Sequence, residues 1–134
     1  MTVPVPDVLP HVDAVMEALA AGGLTAYLGG APASTPTQYC VVYPDPGRAS
    51  SSSLSGRPTD LAAVVQMTCI GTTAERALWV AGRVRRALAQ PLTVDGRRSW
   101  RPEDLGGPPV ARDDDVTPPL WFVPVQYRLH SIPA

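Results

Sequence analysis

The sequence predicts an α+β fold in which two helices pack on one face of a mainly antiparallel sheet of about four strands. Two stretches place apolar residues three and four positions apart, which is helical spacing. Other stretches alternate apolar and polar residues and are rich in β-branched and aromatic side chains. The 134 residues include 16 Pro and 11 Gly, yet 45% are hydrophobic. We therefore expect a single compact domain over residues 1–134 with long loops, and not a disordered chain.

The first predicted helix covers residues 7–21 and follows an extended arm at residues 1–6, where Val and Pro alternate. Asp7 is the expected N-cap. Two glycines at 22–23 are expected to end the helix, because the left-handed C-terminal position favours glycine. The apolar stripe of this helix consists of Val8, Leu9, Val12, Val15, Met16 and Leu19.

Residues 24–28 predict a short strand or an extended connector, and residues 38–43 predict a strand because they are aromatic and β-branched. Residues 61–70 alternate cleanly, with Gln66 and Thr68 on the polar face. The segment 44–60 between these strands is rich in Ser, Pro and Gly and predicts a flexible loop. We therefore expect an antiparallel hairpin that carries a long loop.

The second predicted helix covers residues 73–89. Thr72 and Glu75 have the spacing of a capping box, with the Glu three residues after the Thr. Arginines lie near the C-terminal end, where cations complement the helix dipole. The apolar stripe consists of Ala74, Ala77, Leu78, Ala81, Val84 and Leu88.

After this helix, an Asp95-Gly96 turn predicts a tight hairpin between residues 92–94 and 97–100. Residues 102–119 predict a second polar loop, since they contain several Pro and Gly and an acidic run. Residues 120–130 predict a long final strand, in which Pro124 indicates an edge position or a bulge.

All 11 basic residues are Arg, and the net charge is −1. Because phosphate contacts dominate nucleic-acid affinity, this balance disfavours DNA binding as the main function. The absence of Lys excludes Schiff-base and P-loop chemistry. No signal peptide or membrane-length apolar segment is present, so we expect a soluble protein made in the cytoplasm, with no membrane partner.

No common catalytic motif is present, so we expect no enzyme activity, no cofactor and no catalytic residue. Cys40 and Cys69 lie in apolar runs and are expected to be buried free thiols. His11 and His130 are expected to be structural or solvated surface histidines. The acidic run at 113–115 has the oxygen ligands that a hard cation needs, but consecutive residues seldom converge on one ion. A solvated loop is therefore the favoured interpretation, and no metal site is expected.

The order of elements resembles that of the tail terminator (tail completion) proteins of long-tailed bacteriophages. The resemblance spans residues 7–132. The segments that carry it are 67–77 (MTCIGTTAERA), 84–88 (VRRAL) and 120–127 (LWFVPVQY), together with the LTVDG turn at 92–96.

This resemblance implies a structural virion protein that forms a ring, usually a hexamer, at the head-proximal end of the tail. Such a ring caps the tail tube, ends polymerisation of the tail tube protein and joins the tail to a head–tail connector protein. Assembly would take place in the host cytoplasm, and DNA would only pass through the lumen without specific binding.

Loop position and charge select the candidate contact residues. In the 44–60 loop, we expect Arg48, Leu54 and Arg57 to reach the tail tube protein or a neighbouring subunit. We expect ion pairs between subunits to use Arg83, Arg86, Asp113, Asp114 and Asp115.

Three alternatives remain at this point. Within the same class, the chain could be another neck protein, such as a head completion or stopper subunit. From other classes, it could be a small cytosolic enzyme that uses Cys40 or a histidine, or a small ligand-binding domain with an apolar pocket.

Overall fold

The computed structural model describes residues 3–51 and 56–134. The described residues form two helices and eight strands. In chain order these are α1 (Leu9–Ala21), β1 (Ala26–Leu28), β2 (Gln38–Pro44), β3 (Arg48–Ser50), β4 (Asp60–Gly71), α2 (Ala74–Ala87), β5 (Arg97–Ser99), β6 (Glu103–Gly106), β7 (Ala111–Asp113) and β8 (Leu120–Pro133).

The strands form one mixed sheet with the order β1-β2-β4-β8-β5, in which β3 also pairs with β4, and β6 and β7 pair with β8. β1 runs parallel to β2, and the other pairs are antiparallel. The long strands β4 and β8 form the centre, with Leu61 opposite Ser131 at one end and Gly71 opposite Trp121 at the other. The antiparallel pairing of β2 with β4 confirms the predicted hairpin.

The prediction of a mainly antiparallel sheet of about four strands is wrong, because the sheet has eight strands and is mixed. β3 lies in the segment predicted as the 44–60 loop, and β6 and β7 lie in the 102–119 loop. Each of these strands has only 3 or 4 residues, too few for an alternating pattern to be recognised. They are strands because the long central strands offer them backbone partners, which no local pattern reveals.

The predicted hairpin around Asp95 and Gly96 is also wrong. Residues 92–94 form no strand, and β5 pairs with residues 131–133 of β8. The turn itself forms, with the Arg97 amide donating to the Val94 carbonyl at 3.0 Å and Gly96 at a φ of 69°. A favourable turn therefore forms without a local partner strand.

The core lies between the two helices and one face of the sheet. Every second residue of β4 is buried, and the same face of β8 supplies its cross-strand neighbours, such as Tyr127 opposite Val65. Cys40 and Val42 extend this face onto β2. The helices contribute the fully buried side chains Val15, Leu19, Val80 and Val84, and Leu88, the C-cap residue after α2, is buried beside them.

The helix ends differ in detail from the prediction. Val8, and not Asp7, is the N-cap of α1, without a side-chain cap. Thr73, and not Thr72, caps α2, since its hydroxyl accepts from the Arg76 amide at 3.2 Å. At the C-terminal end of α1, Gly23 has a φ of 81°, which confirms the predicted glycine stop.

Candidate interaction surfaces

The outer face of α2 presents apolar and basic side chains together. Because successive helical residues are about 100° apart, the face opposite the buried side chains of α2 carries Leu78, Trp79 and Arg86, with the exposed Glu75 at its N-terminal end. Leu78 is 51% exposed and Trp79 is 42% exposed. We call the set Leu78, Trp79, Arg83 and Arg86 the α2 patch.

Two arginines of the α2 patch are free of ion pairs within the described part of the chain. The Arg83 guanidinium lies 4.7 Å from the centre of the Trp79 ring, in cation–π contact. Its Nε is buried and has no hydrogen-bond partner among residues 3–51 and 56–134. Arg86 is exposed. By contrast, Arg85 pairs with Asp104 at 3.2 Å.

The acidic residues Asp113, Asp114 and Asp115 lie at the end of β7 and in the turn that leads to β8. Asp114 pairs with Arg112 at 2.6 Å, and an Asp113 carboxylate oxygen accepts from the Asp115 amide at 3.0 Å. The Asp115 carboxylate has no partner in the described residues. Val116, which follows, is 38% exposed. We call residues 113–116 the acidic turn.

The structure does not bring the predicted ion-pair partners together within one chain. Over the described residues, the ion pairs join Arg85 to Asp104, Arg112 to Asp114, and Arg128 to Glu103. Arg83 and Arg86 are therefore not paired with the acidic turn of their own chain, and the predicted pairs between subunits stay a prediction.

The described part of the 44–60 segment contains two of its three predicted contact residues. Arg48 is exposed on β3 and borders an open groove beside Val64 and Arg128. Arg57 donates from Nε to the Val3 carbonyl at 2.8 Å, which ties the N-terminal arm to this segment. Leu54 lies outside the described residues. The contact with tube protein or a neighbouring subunit stays a prediction.

A buried polar cluster joins α1 to the end of β8, and the sequence did not predict it. His11 was expected at the surface, but it is only 2% exposed. Its Nε2 lies 2.7 Å from the Ser131 Oγ, and its Nδ1 lies 2.9 Å from the Asp7 carbonyl oxygen. Arg97 donates to the same Ser131 hydroxyl at 3.1 Å. Since these partners are 120 residues apart, no local signal could reveal the cluster.

The hydrogen bonds fix the tautomer of His11. The Asp7 carbonyl can only accept, so His11 Nδ1 carries a hydrogen and donates it to that carbonyl. In the neutral imidazole, Nε2 then accepts from the Ser131 hydroxyl, whose oxygen accepts from the Arg97 guanidinium. Burial lowers the pKa of His11, the nearby Arg97 charge lowers it further, and the bond to Asp7 opposes this shift. The geometry therefore holds a neutral imidazole.

The cysteines lie in the core. Cys40 and Cys69 are free, 0% exposed and directly opposite each other on β2 and β4. A hydrogen bond to Cys40 and burial raise the pKa of the Cys69 thiol. The prediction of buried free thiols is confirmed. A nucleophile must reach its substrate, so the burial of Cys40 argues against the enzyme alternative that uses it.

Residues 3–51 and 56–134 hold no cluster of three or more His, Cys, Asp or Glu arranged for a metal ion. None of their helices has the length and hydrophobicity needed to span a bilayer. A groove of about 460 Å³ between α1 and the end of α2 is bordered by small residues such as Ala14 and Ala18, with Glu17 and Arg86 beside them.

Comparison with known proteins shows a shared fold. No protein-family model and no curated protein sequence matches the chain. Among solved structures, the chain is similar to one from the virion of native gene transfer agent (GTA) particle, with 18% identity and a TM-score of 0.68. The similarity covers 92% of this chain and 94% of the other. Because it spans nearly all of both chains, it describes the whole domain and not a common local motif.

Proposed function

We propose that this protein is a structural subunit of a phage-like virion, and more specifically a tail terminator. In this role, copies form a ring on the head-proximal end of the tail tube, stop its polymerisation and offer a surface to the head–tail connector. The observation that carries the proposal is the fold shared with a virion chain over 92% of the sequence, at a TM-score of 0.68.

The surface of the protein supports an assembly role. Trp, Leu and Arg are exposed side by side on α2, and Trp and Arg are enriched at the energetically important positions of protein interfaces. The net charge of −1 suits a ring through which DNA passes without being held. On this proposal the protein has no enzymatic role and no cofactor.

The proposal is tested with purified protein and a tail tube protein from the same source. Tubes polymerised alone should grow to variable lengths, whereas added protein should shorten them and leave a ring at one end in negative-stain images. Serum albumin at the same concentration is the control. Tubes of unchanged length without terminal density would contradict the terminator role.

A second neck role, as a head completion or stopper subunit, is supported by the same fold match, since the likeness does not specify a position in the particle. Pull-down distinguishes the two roles. A terminator should retain tube protein, whereas a stopper or completion subunit should retain portal-side proteins and leave the tube protein in the supernatant.

A further inference from the structure

We infer that the α2 patch of one copy binds the acidic turn of a second copy. The inference rests on the proposed function, because it assigns the contact between neighbouring subunits of the ring. The partner is another copy of this chain, and two different surfaces of the two copies meet.

The composition of the α2 patch favours a protein partner. Leu78 and Trp79 are two large apolar side chains exposed to solvent, on a helix whose opposite face is buried in the core. Gly82 lies between them and Arg86, and a Cβ placed there would meet nothing within 4 Å. The helix surface is therefore open at this point, and another backbone can approach it closely.

The charges of the two surfaces are complementary. The α2 patch carries the arginines 83 and 86, neither of which forms an ion pair in the described residues. The acidic turn carries three carboxylates and has one arginine beside it, Arg112. The Arg83 side chain is only partly buried, so the outer part of its guanidinium stays open to an incoming carboxylate.

The apolar parts of the two surfaces also match. Val116 follows the carboxylates and is 38% exposed, so the acidic turn presents one apolar side chain beside its charges. The α2 patch has the same arrangement, with Trp79 beside Arg83. Apolar contact at the centre with ion pairs around it is the usual anatomy of a specific interface.

Among the described residues, no ion pair joins the α2 patch to the acidic turn of the same chain. Arg83 lies nine residues into α2, about 14 Å along the helix axis from its start. The start of α2 follows Gly71, at the end of the sheet where Trp121 and the acidic turn also lie. Since the two surfaces are different patches of one chain, their pairing is heterologous and repeats from copy to copy, as a closed ring requires.

Charge reversal tests the inference. Arg83→Glu with Arg86→Glu, or Asp114→Arg with Asp115→Arg, should each weaken self-association about tenfold or more in sedimentation equilibrium. In a mixture of the two double variants, the unchanged α2 patch of one variant should bind the unchanged acidic turn of the other and form pairs. The two reversed surfaces, whose signs are exchanged, should extend these pairs into larger assemblies. Trp79→Ala should also weaken association about tenfold or more.

Arg98→Glu with Arg101→Glu is the matched control, since these arginines are exposed and lie outside both surfaces. It should associate like the unchanged chain. Far-ultraviolet circular dichroism and thermal unfolding of each variant establish that the fold is intact. The inference is overturned if the mixture regains nothing, or if the unchanged chain stays monomeric at every concentration with and without tube protein.

The two proposals fail separately. If the protein caps tubes but the charge-reversed variants associate as well as the unchanged chain, the α2 contact is refuted and the terminator role stands. If mixing the charge-reversed variants restores association but the protein has no effect on tube length, the contact stands and the terminator role is refuted.

Discussion

At the scale of single residues, a neutral histidine sealed inside the fold couples stability to pH. Protonated His11 would be a buried charge close to the Arg97 guanidinium. Burial lowers the pKa of His11 in the folded chain below its usual value, the bond to the Asp7 carbonyl opposes this shift, and the Arg97 charge adds to it. A group with a lowered folded pKa stabilises the fold above its unfolded pKa, and this contribution is lost as pH falls through the folded value.

We therefore expect the free energy of unfolding to fall as the pH decreases from about 7 to about 5. Urea unfolding of the unchanged chain and of His11→Gln, measured across this range, checks the prediction. The substitution should lower stability at neutral pH and flatten the dependence. His130→Gln is the control, because His130 is exposed and stacks on Trp100. Parallel curves for the unchanged chain and His11→Gln would contradict the assignment.

Two glycines make a matched pair at the same scale. A Cβ on Gly71 would lie 2.6 Å from the backbone nitrogen of Ala77, where α2 crosses the end of β4. Gly71→Ala should destabilise the fold by about 1–3 kcal/mol, the usual cost of overpacking. Gly82→Ala meets open space and should stabilise α2 by about 1 kcal/mol through helix propensity. Chemical unfolding at a concentration where the chain is monomeric measures both, and equal effects would refute the close approach at Gly71.

At the scale of elements, the N-cap of α2 lies one residue after the position that the capping-box pattern predicts. Thr72 and Glu75 have the spacing of a capping box, but the chain uses Thr73 as the cap. Thr72 instead accepts from the Arg76 guanidinium at the surface. The exit of β4 at Gly71 sets this choice, since it fixes where the backbone can turn into the helix.

This assignment can be checked with two neighbouring threonines. Thr73→Ala should cost about 1 kcal/mol of stability, because the Arg76 amide loses its acceptor. Thr72→Ala removes an exposed side-chain contact and should change stability by less than about 0.5 kcal/mol. Thermal unfolding of the two variants decides between the caps. A larger loss of stability for Thr72→Ala than for Thr73→Ala would support the predicted capping box instead.

The strands show a similar division between long and short elements. β4 and β8, with 12 and 14 residues, have long alternating patterns and were predicted within a few residues of their bounds. β3, β6 and β7 have no pattern of their own and take their structure from these neighbours. The parallel pairing of β1 with β2 depends in the same way on a partner supplied by the fold.

At the scale of the whole molecule, the surface charges predict how assembly responds to salt. If Arg83 and Arg86 meet the acidic turn of a neighbour, association should weaken as salt rises, because exposed ion pairs are screened. Sedimentation at about 0.1 M and about 1 M sodium chloride, where the screening length falls from about 10 Å to about 3 Å, measures this. Association that strengthens with salt would indicate a contact dominated by Leu78 and Trp79 instead.

The sequence by itself determined the two helices, the long strands and the buried cysteines, since these depend on local periodicity and local apolar character. It also supplied the candidate contact residues Arg83, Arg86 and Asp113–Asp115, although their pairing stays a prediction. Only the tertiary structure decided the eight-stranded mixed sheet, the burial of His11 against Ser131 and the exposure of Trp79 beside Arg83. The physical reason is that short strands and buried polar groups are stabilised by partners far away in the chain, which local patterns cannot encode.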